Sequence, residues 1–245
     1  MLGNKKVALI TGASVGIGKA TAIKLAEEGY EVVLMDIDEE KMALTQAECE
    51  KLGANVKSYV CDVRNEEQVN SAIGDAIEAF GSIDVLVNNA ALWKISRSFL
   101  DTPVDQWKLF FDVNVMGVVY VTRAVLPKMI ENGYGRIVNV ASVAGVYGNA
   151  NMACYSATKG AIISFTKALA KEVAQSGVTV NSVSPGTVSD SNKDDLFHTV
   201  PNPMSYMGRS GSDMENAELI CFLCGNKAPY ISGQNIQIDG CRKLL

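Results

Sequence analysis

The chain has 245 residues, 48% of them hydrophobic, and a formal net charge of −5 from 22 Lys and Arg against 27 Asp and Glu. That length and apolar content suit a single α/β domain with one large core. The mild acidity speaks against a nucleic-acid partner, which needs a basic face. No uninterrupted apolar run approaches the roughly 20 residues that cross a bilayer.

The first residues, Met1 to Lys6, lead straight into a strand rather than a signal peptide, so a cytoplasmic protein with no membrane partner is expected. The strand is predicted over Val7–Thr11, and a glycine-rich turn follows it: Thr11-Gly12-Ala13-Ser14-Val15-Gly16-Ile17-Gly18. A helix is predicted to open there and run over 17–28. Gly12 permits the tight turn, Gly16 has no side chain to keep a pyrophosphate off the backbone, and Gly18 lets helix and sheet pack closely. The free N–H groups and partial positive charge of the helix N-terminus favour phosphates. Glycines alone would signal only a turn, but the strand–turn–helix setting points to a dinucleotide.

The second strand, predicted over 31–35, ends at Asp36, eighteen positions after Gly18. A carboxylate there accepts hydrogen bonds from the adenosine ribose hydroxyls and repels a 2′-phosphate. Neither Ile37 nor Val15 is a cation that would neutralise that phosphate, so NAD is favoured over NADP. Asp36 could instead cap the next helix, although Asp38 can fill that role. A helix over 39–52 and a strand over 56–60 follow, leading to Asp62 and Val63. At a strand's carboxyl edge, Asp62 can meet the adenine amino group. After a helix over 66–80 and a strand over 85–87, Asn88-Asn89-Ala90-Ala91 falls on the same edge.

Further along, helices are predicted over 104–130, 154–175 and 213–224, with strands over 136–140, 178–183 and 236–238. Continuous apolar strands separated by helices predict a parallel sheet covered on both faces. Right-handed crossovers then give a single doubly wound, Rossmann-type domain over residues 1–245. The segment 187–210, just past Pro185 and Gly186, is long for a connection and is read as a substrate loop.

Ser142, after the fifth strand, and Tyr155 and Lys159, four apart on one helix face, form the candidate catalytic group. Moving a hydride to or from carbon requires a proton to move at its oxygen. A free tyrosine, with a pKa of roughly 10, is a poor base near neutrality, and a neighbouring ammonium favours its phenolate. Ser142 can hold the substrate oxygen. Asn114 can hold a water that links Lys159 to solvent. A Tyr and a Lys four apart are by themselves a common surface pair; the other motifs give this pair its meaning.

The six cysteines are scattered through apolar or helical sequence and read as mostly buried, reduced thiols. Cys221 and Cys224 form a C-x-x-C pair, but a zinc site needs two more ligands and His198 is the only histidine. No metal is expected.

Together these motifs resemble the short-chain dehydrogenase/reductase family. Thr11 with Gly16 and Gly18, Asn88-Asn89-Ala90, Asn114, Ser142, Tyr155 with Lys159, and Pro185-Gly186 stand in that family's order and spacing. The resemblance implies a seven-stranded sheet, an Asn114–Ser142–Tyr155–Lys159 tetrad and hydride transfer to a carbonyl. It also implies a homotetramer, with the helices around 104–130 and 154–175 at the main subunit contact. Two departures are Ala91, where the family usually has Gly, and Asp190, where it often has the Thr that contacts the carboxamide. Thr187, Val188 and Ser189 lie beside Asp190, leaving the identity of that contact open.

For substrate binding, the candidates are Ser142, Ala144, Tyr147, Asn149, Met152, Trp93 and Leu196. This apolar, aromatic group with few cations suits a hydrophobic alcohol or ketone. A hydroxysteroid of the bile-acid type is favoured within the resemblance, with a 3-oxoacyl thioester as the alternative. From other classes, the competing readings are an inactive dinucleotide-binding regulator and a redox or zinc protein built on Cys221 and Cys224. The intact tetrad argues against the former.

Overall fold

The computed structural model describes residues 5–189 and 195–243. Seven parallel strands form one sheet: β1 (Val7–Thr11), β2 (Glu31–Asp36), β3 (Val56–Val60), β4 (Val85–Asn88), β5 (Gly135–Val140), β6 (Val178–Pro185) and β7 (Asn235–Ile238). Their spatial order is β3-β2-β1-β4-β5-β6-β7. The chain reverses its direction of travel across the sheet between β1 and β4. There the two following loops diverge and leave a crevice at the strands' carboxyl ends.

The helices are α1 (Gly16–Glu27), α2 (Glu39–Lys51), α3 (Glu66–Phe80), α4 (Val104–Phe111), α5 (Gly117–Glu131), α6 (Val143–Tyr147), α7 (Ala153–Val173) and α8 (Asp213–Cys224). Alternate strand residues face opposite layers. Ile10 and Leu34 pack with Leu25, Ile220 and Cys224 on one face. On the other, Leu9, Val33 and Leu86 pack with Ile73, Val121, Val125 and Met129. The central strands are therefore dry on both faces, which explains why they read as largely apolar runs, while the edge strands β3 and β7 stay partly exposed.

Two features depart from the sequence reading. The helix predicted over 104–130 contains a π-helical turn, Asp112–Met116, between α4 and α5. The continuous stretch Val104–Glu131 is also long and apolar enough to cross a membrane by length and composition, which the search for uninterrupted apolar runs did not anticipate. Charged residues from Asp105 to Glu131 interrupt it, and Val121, Val125 and Met129 of its inner face are fully buried against the sheet.

Cys221 and Cys224 lie inside the α8 layer, where burial pushes both thiols up. Among the described residues no group of His, Cys, Asp and Glu can hold a metal ion. Asp38 caps α2 by accepting from the Lys41 N–H at 3.1 Å, which leaves Asp36 free of that duty.

Candidate active site

A cleft of about 800 Å³ opens at the reversal point between β1 and β4. The glycine-rich turn forms one wall. Gly12 has φ +65°, and a Cβ there would stand 2.8 Å from the Ala90 Cα. At Gly18 a Cβ would stand 2.0 Å from the Gly12 carbonyl oxygen, so a side chain at that position would push the turn off the helix. Asn89 locks the turn from β4: its side-chain amide donates to the Thr11 and Gly12 carbonyls at 3.1 and 2.9 Å. Thr11 Oγ1 in return accepts from the Asn89 and Ala90 N–H groups. Asn89 thus shapes this wall of the cleft while also lining it.

Gly12, Ser14, Val15, Gly16 and Ile17 line the cleft, and no side chain caps the N-terminus of α1. Gly18 lies one step behind this wall. Asp36 stands at the mouth beside Ile37. One of its oxygens accepts from the Ser14 N–H and hydroxyl at 2.9 and 2.7 Å, and the other from the Asp38 N–H at 3.0 Å. Asp62 and Val63 line the far end. Here Asp62 grips Arg64, whose Nε lies 3.0 and 2.9 Å from the two carboxylate oxygens, and the guanidinium holds the Asp62 carboxyl below its ordinary range. Ala90, Ala91, Pro185, Gly186, Thr187 and Val188 line the centre of the cleft. Thr187 and Val188 are fixed through Gly211, by a 2.9 Å hydrogen bond and a β-bridge respectively. Asp190 lies outside the described residues. The uncapped helix end, the close-fitting glycines and the Asp36 carboxylate fit a dinucleotide.

Ser142, Tyr155 and Lys159 meet in this same cleft. Ser142 caps α6, its Oγ accepting from the Ala144 N–H at 3.1 Å. Burial pushes the Tyr155 phenol up, and a hydrogen bond with Ser142 pulls it the other way. Lys159 is only 4% exposed. Its Nζ donates to the Val140 carbonyl at 2.7 Å, and burial lowers its pKa to about 8.

Asn114 sits in the π-helical turn and is fully buried. Its side chain exchanges two hydrogen bonds with the Leu92 backbone, at 2.8 and 2.9 Å, and donates to Thr158 Oγ1 at 3.1 Å. It therefore staples the segment after β4 to the helix turn that carries Lys159.

Of the substrate candidates, Ser142, Asn149, Met152 and Trp93 line the cleft. Three do not. Ala144 is buried behind the first turn of α6, where its N–H donates to the capping Ser142 Oγ. Tyr147 projects from the end of α6 into solvent. Leu196 packs inward on Ala20, Met214 and Ala217. Leu92, in the 90–98 segment expected to meet substrate, also lines the cleft; the sequence reading missed Leu109, Val113 and Arg242, the last of which brings a cation into a wall expected to be apolar. The tail that carries Arg242 pairs with residues 204–206, a long-range contact that the local sequence does not announce.

Residues 6–200 match the family model described as short chain dehydrogenase. Over 243 residues, covering 96% of both chains, the sequence is 37% identical to a 3-oxoacyl-(acyl-carrier-protein) reductase of Thermotoga maritima. Over 240 residues, covering 97% of this chain and 95% of the relative, it is 35% identical to a 2-dehydro-3-deoxy-L-rhamnonate dehydrogenase (NAD+) of a Sphingomonas species. The solved structure of an NAD+-bound xylitol dehydrogenase matches with a TM-score of 0.90 and 35% identity, over 98% of this chain and 100% of that one.

Proposed function

The chain belongs to the short-chain dehydrogenase/reductase family and is an oxidoreductase acting on CH–OH groups; from that premise we propose that it moves a hydride between NAD(H) and a small secondary alcohol or ketone, with Tyr155 as the acid/base. The observation that carries this reading is the convergence of Ser142, Tyr155 and Lys159 on the cleft that the glycine-rich turn walls off. The dinucleotide, when bound, supplies the hydride acceptor or donor and a change of charge beside the phenol.

Each side chain then has a defined task. Ser142 holds the substrate oxygen by hydrogen bonding and steadies the charge that grows on it. Tyr155 takes the hydroxyl proton in oxidation and returns it in reduction. The Lys159 ammonium, aimed by Val140, opposes the burial that holds the phenol up. Asn114 is a positioning residue acting through Leu92 and Thr158.

NAD rather than NADP is supported by Asp36. Its carboxylate lines the cleft where it would accept from the ribose hydroxyls, and Arg64, a cation in the same lining, is already held by Asp62. The steroid expectation has no support in the relatives' names, which speak of acyl thioesters, a sugar acid and a polyol. The similarity to the Thermotoga reductase favours the 3-oxoacyl thioester as a second reading. Val104, Phe111 and Ile130 expose apolar surface along the 104–131 helical stretch, which supports a homotetramer with that stretch at the subunit contact.

A screen of polyols, hydroxy acids, cyclic alcohols and acyl thioesters, run with NAD and NADP side by side, tests the proposal through nicotinamide absorbance. NAD-dependent turnover is expected. A protein that binds NAD and turns over no member of the panel would instead be the inactive regulator.

A further inference from the structure

Resting on the dehydrogenase reading, we infer that Arg242 is a substrate-binding residue that holds a carboxylate, so that the natural substrate is a hydroxy or oxo acid.

Two arginines line the cleft, and they differ in partnership. Arg64, at the far end, is held by the Asp62 carboxylate. The Arg242 guanidinium donates from Nη2 to the Asn149 Oδ1 at 3.1 Å, a neutral partner, and no carboxylate pairs with it among the described residues. A guanidinium carries five N–H donors in a planar fork. One neutral hydrogen bond leaves the fork able to take a carboxylate through two parallel bonds.

The position of Arg242 is built rather than incidental. Gly240, with φ +63°, turns the chain after β7. The tail then pairs with the substrate loop. Ser205 bridges to Arg242, the Tyr206 N–H donates to the Cys241 carbonyl at 3.0 Å, and the Lys243 N–H donates to the Met204 carbonyl at 2.8 Å. On the opposite side, the Asn149 N–H donates to the Ser156 Oγ at 3.2 Å, next to Tyr155. Arg242 is thus fixed on two sides, by the tail's pairing with residues 204–206 and by Asn149, itself tied to the helix that carries the phenol. The remaining lining there, Leu92, Trp93, Leu109, Val113 and Met152, is apolar. A single fork in apolar surroundings fits one carboxylate at the end of a short carbon chain. A phosphate would call for more cations.

The test uses a series of short hydroxy acids of increasing length, each paired with its uncharged primary amide, together with neutral secondary alcohols. The wild-type enzyme should favour the acid of one length over its amide by about 10- to 100-fold in kcat/KM. Arg242→Gln should lose most of that preference through KM, and Arg242→Lys should recover part of it. Binding of a non-reactive acid of matching length to the NAD-loaded enzyme, measured by calorimetry, should weaken to the same degree in Arg242→Gln. NAD affinity near wild-type will show that the variant is folded. Equal use of acid and amide by the wild type, or an equal loss of both in Arg242→Gln, would overturn the inference while leaving the dehydrogenase intact. Turnover of nothing in the series, the neutral alcohols included, would remove the dehydrogenase reading and this inference with it.

Discussion

The Lys159 ammonium lies 5.8 Å from the centre of the Tyr155 ring while its hydrogen bond goes to the carbonyl that ends β5. The lysine is thereby held at a fixed distance from the phenol by the sheet itself. Both groups lose hydration in the cleft, and the loss pushes their pKa values in opposite directions: the phenol up, the amine down.

Lys159 should therefore titrate near pH 8 in the cofactor-free protein, against 10.5 for an ordinary lysine. Its folded value is depressed, so between about 8 and 10.5 the unfolded chain binds a proton that the folded chain does not. The contribution of this group to stability consequently rises with pH across that window. Urea unfolding of the wild type and of Lys159→Met should show the gap between them shifting in favour of the wild type as pH climbs. Parallel profiles would contradict the assignment.

Asp36 accepts three hydrogen bonds from the turn around it, which aims its carboxylate at the cleft mouth. Asp36→Ala should weaken NAD binding by roughly tenfold or more and narrow the gap to NADP. Equilibrium binding of both dinucleotides measures this directly, and an unchanged ratio would remove the ribose role.

Glu215 closes a capping box with Ser212 at the start of α8 and also grips Arg209, at 2.9 and 2.6 Å, three residues before that cap. That guanidinium holds the Glu215 carboxyl down to about 2. The stabilisation is present above the ordinary carboxylate value and is lost as pH falls from about 4.5 toward 2. The pair is partly exposed, so solvent screens much of it. Glu215→Gln keeps a side-chain oxygen for the Ser212 N–H, so the cap should survive, while loss of the charge should lower stability slightly at neutral pH and flatten the acid limb of the stability profile. Chemical unfolding at neutral and acid pH provides the check.

Light scattering of the purified protein should give a mass four times that of the chain. A monomer would mean that the apolar surface at Val104, Phe111 and Ile130 has some other role.

Much of this was legible in the sequence because the signals were periodic or local. Buried parallel strands appear as apolar runs; Asp36 ends its strand, Ser142 follows its own by two positions, and Lys159 lies within its helix four positions after Tyr155. What escaped has equally physical reasons. A π-helical turn keeps a helix-like apolar pattern, so Asp112–Met116 passed as ordinary α-helix. Leu196 and Tyr147 are apolar residues near the site in sequence, but sequence does not say which way an irregular segment turns them; one faces the core and the other solvent. Arg242 reaches the cleft only because the tail pairs with residues 204–206, a long-range contact with no periodicity to announce it.

The most direct test of the account is the Tyr155→Phe variant, assayed for turnover and for NAD binding on one preparation. Loss of a positioned proton donor should lower kcat by about 100- to 10,000-fold while NAD affinity stays near wild-type. A variant that turns over at the wild-type rate would contradict the account at its centre.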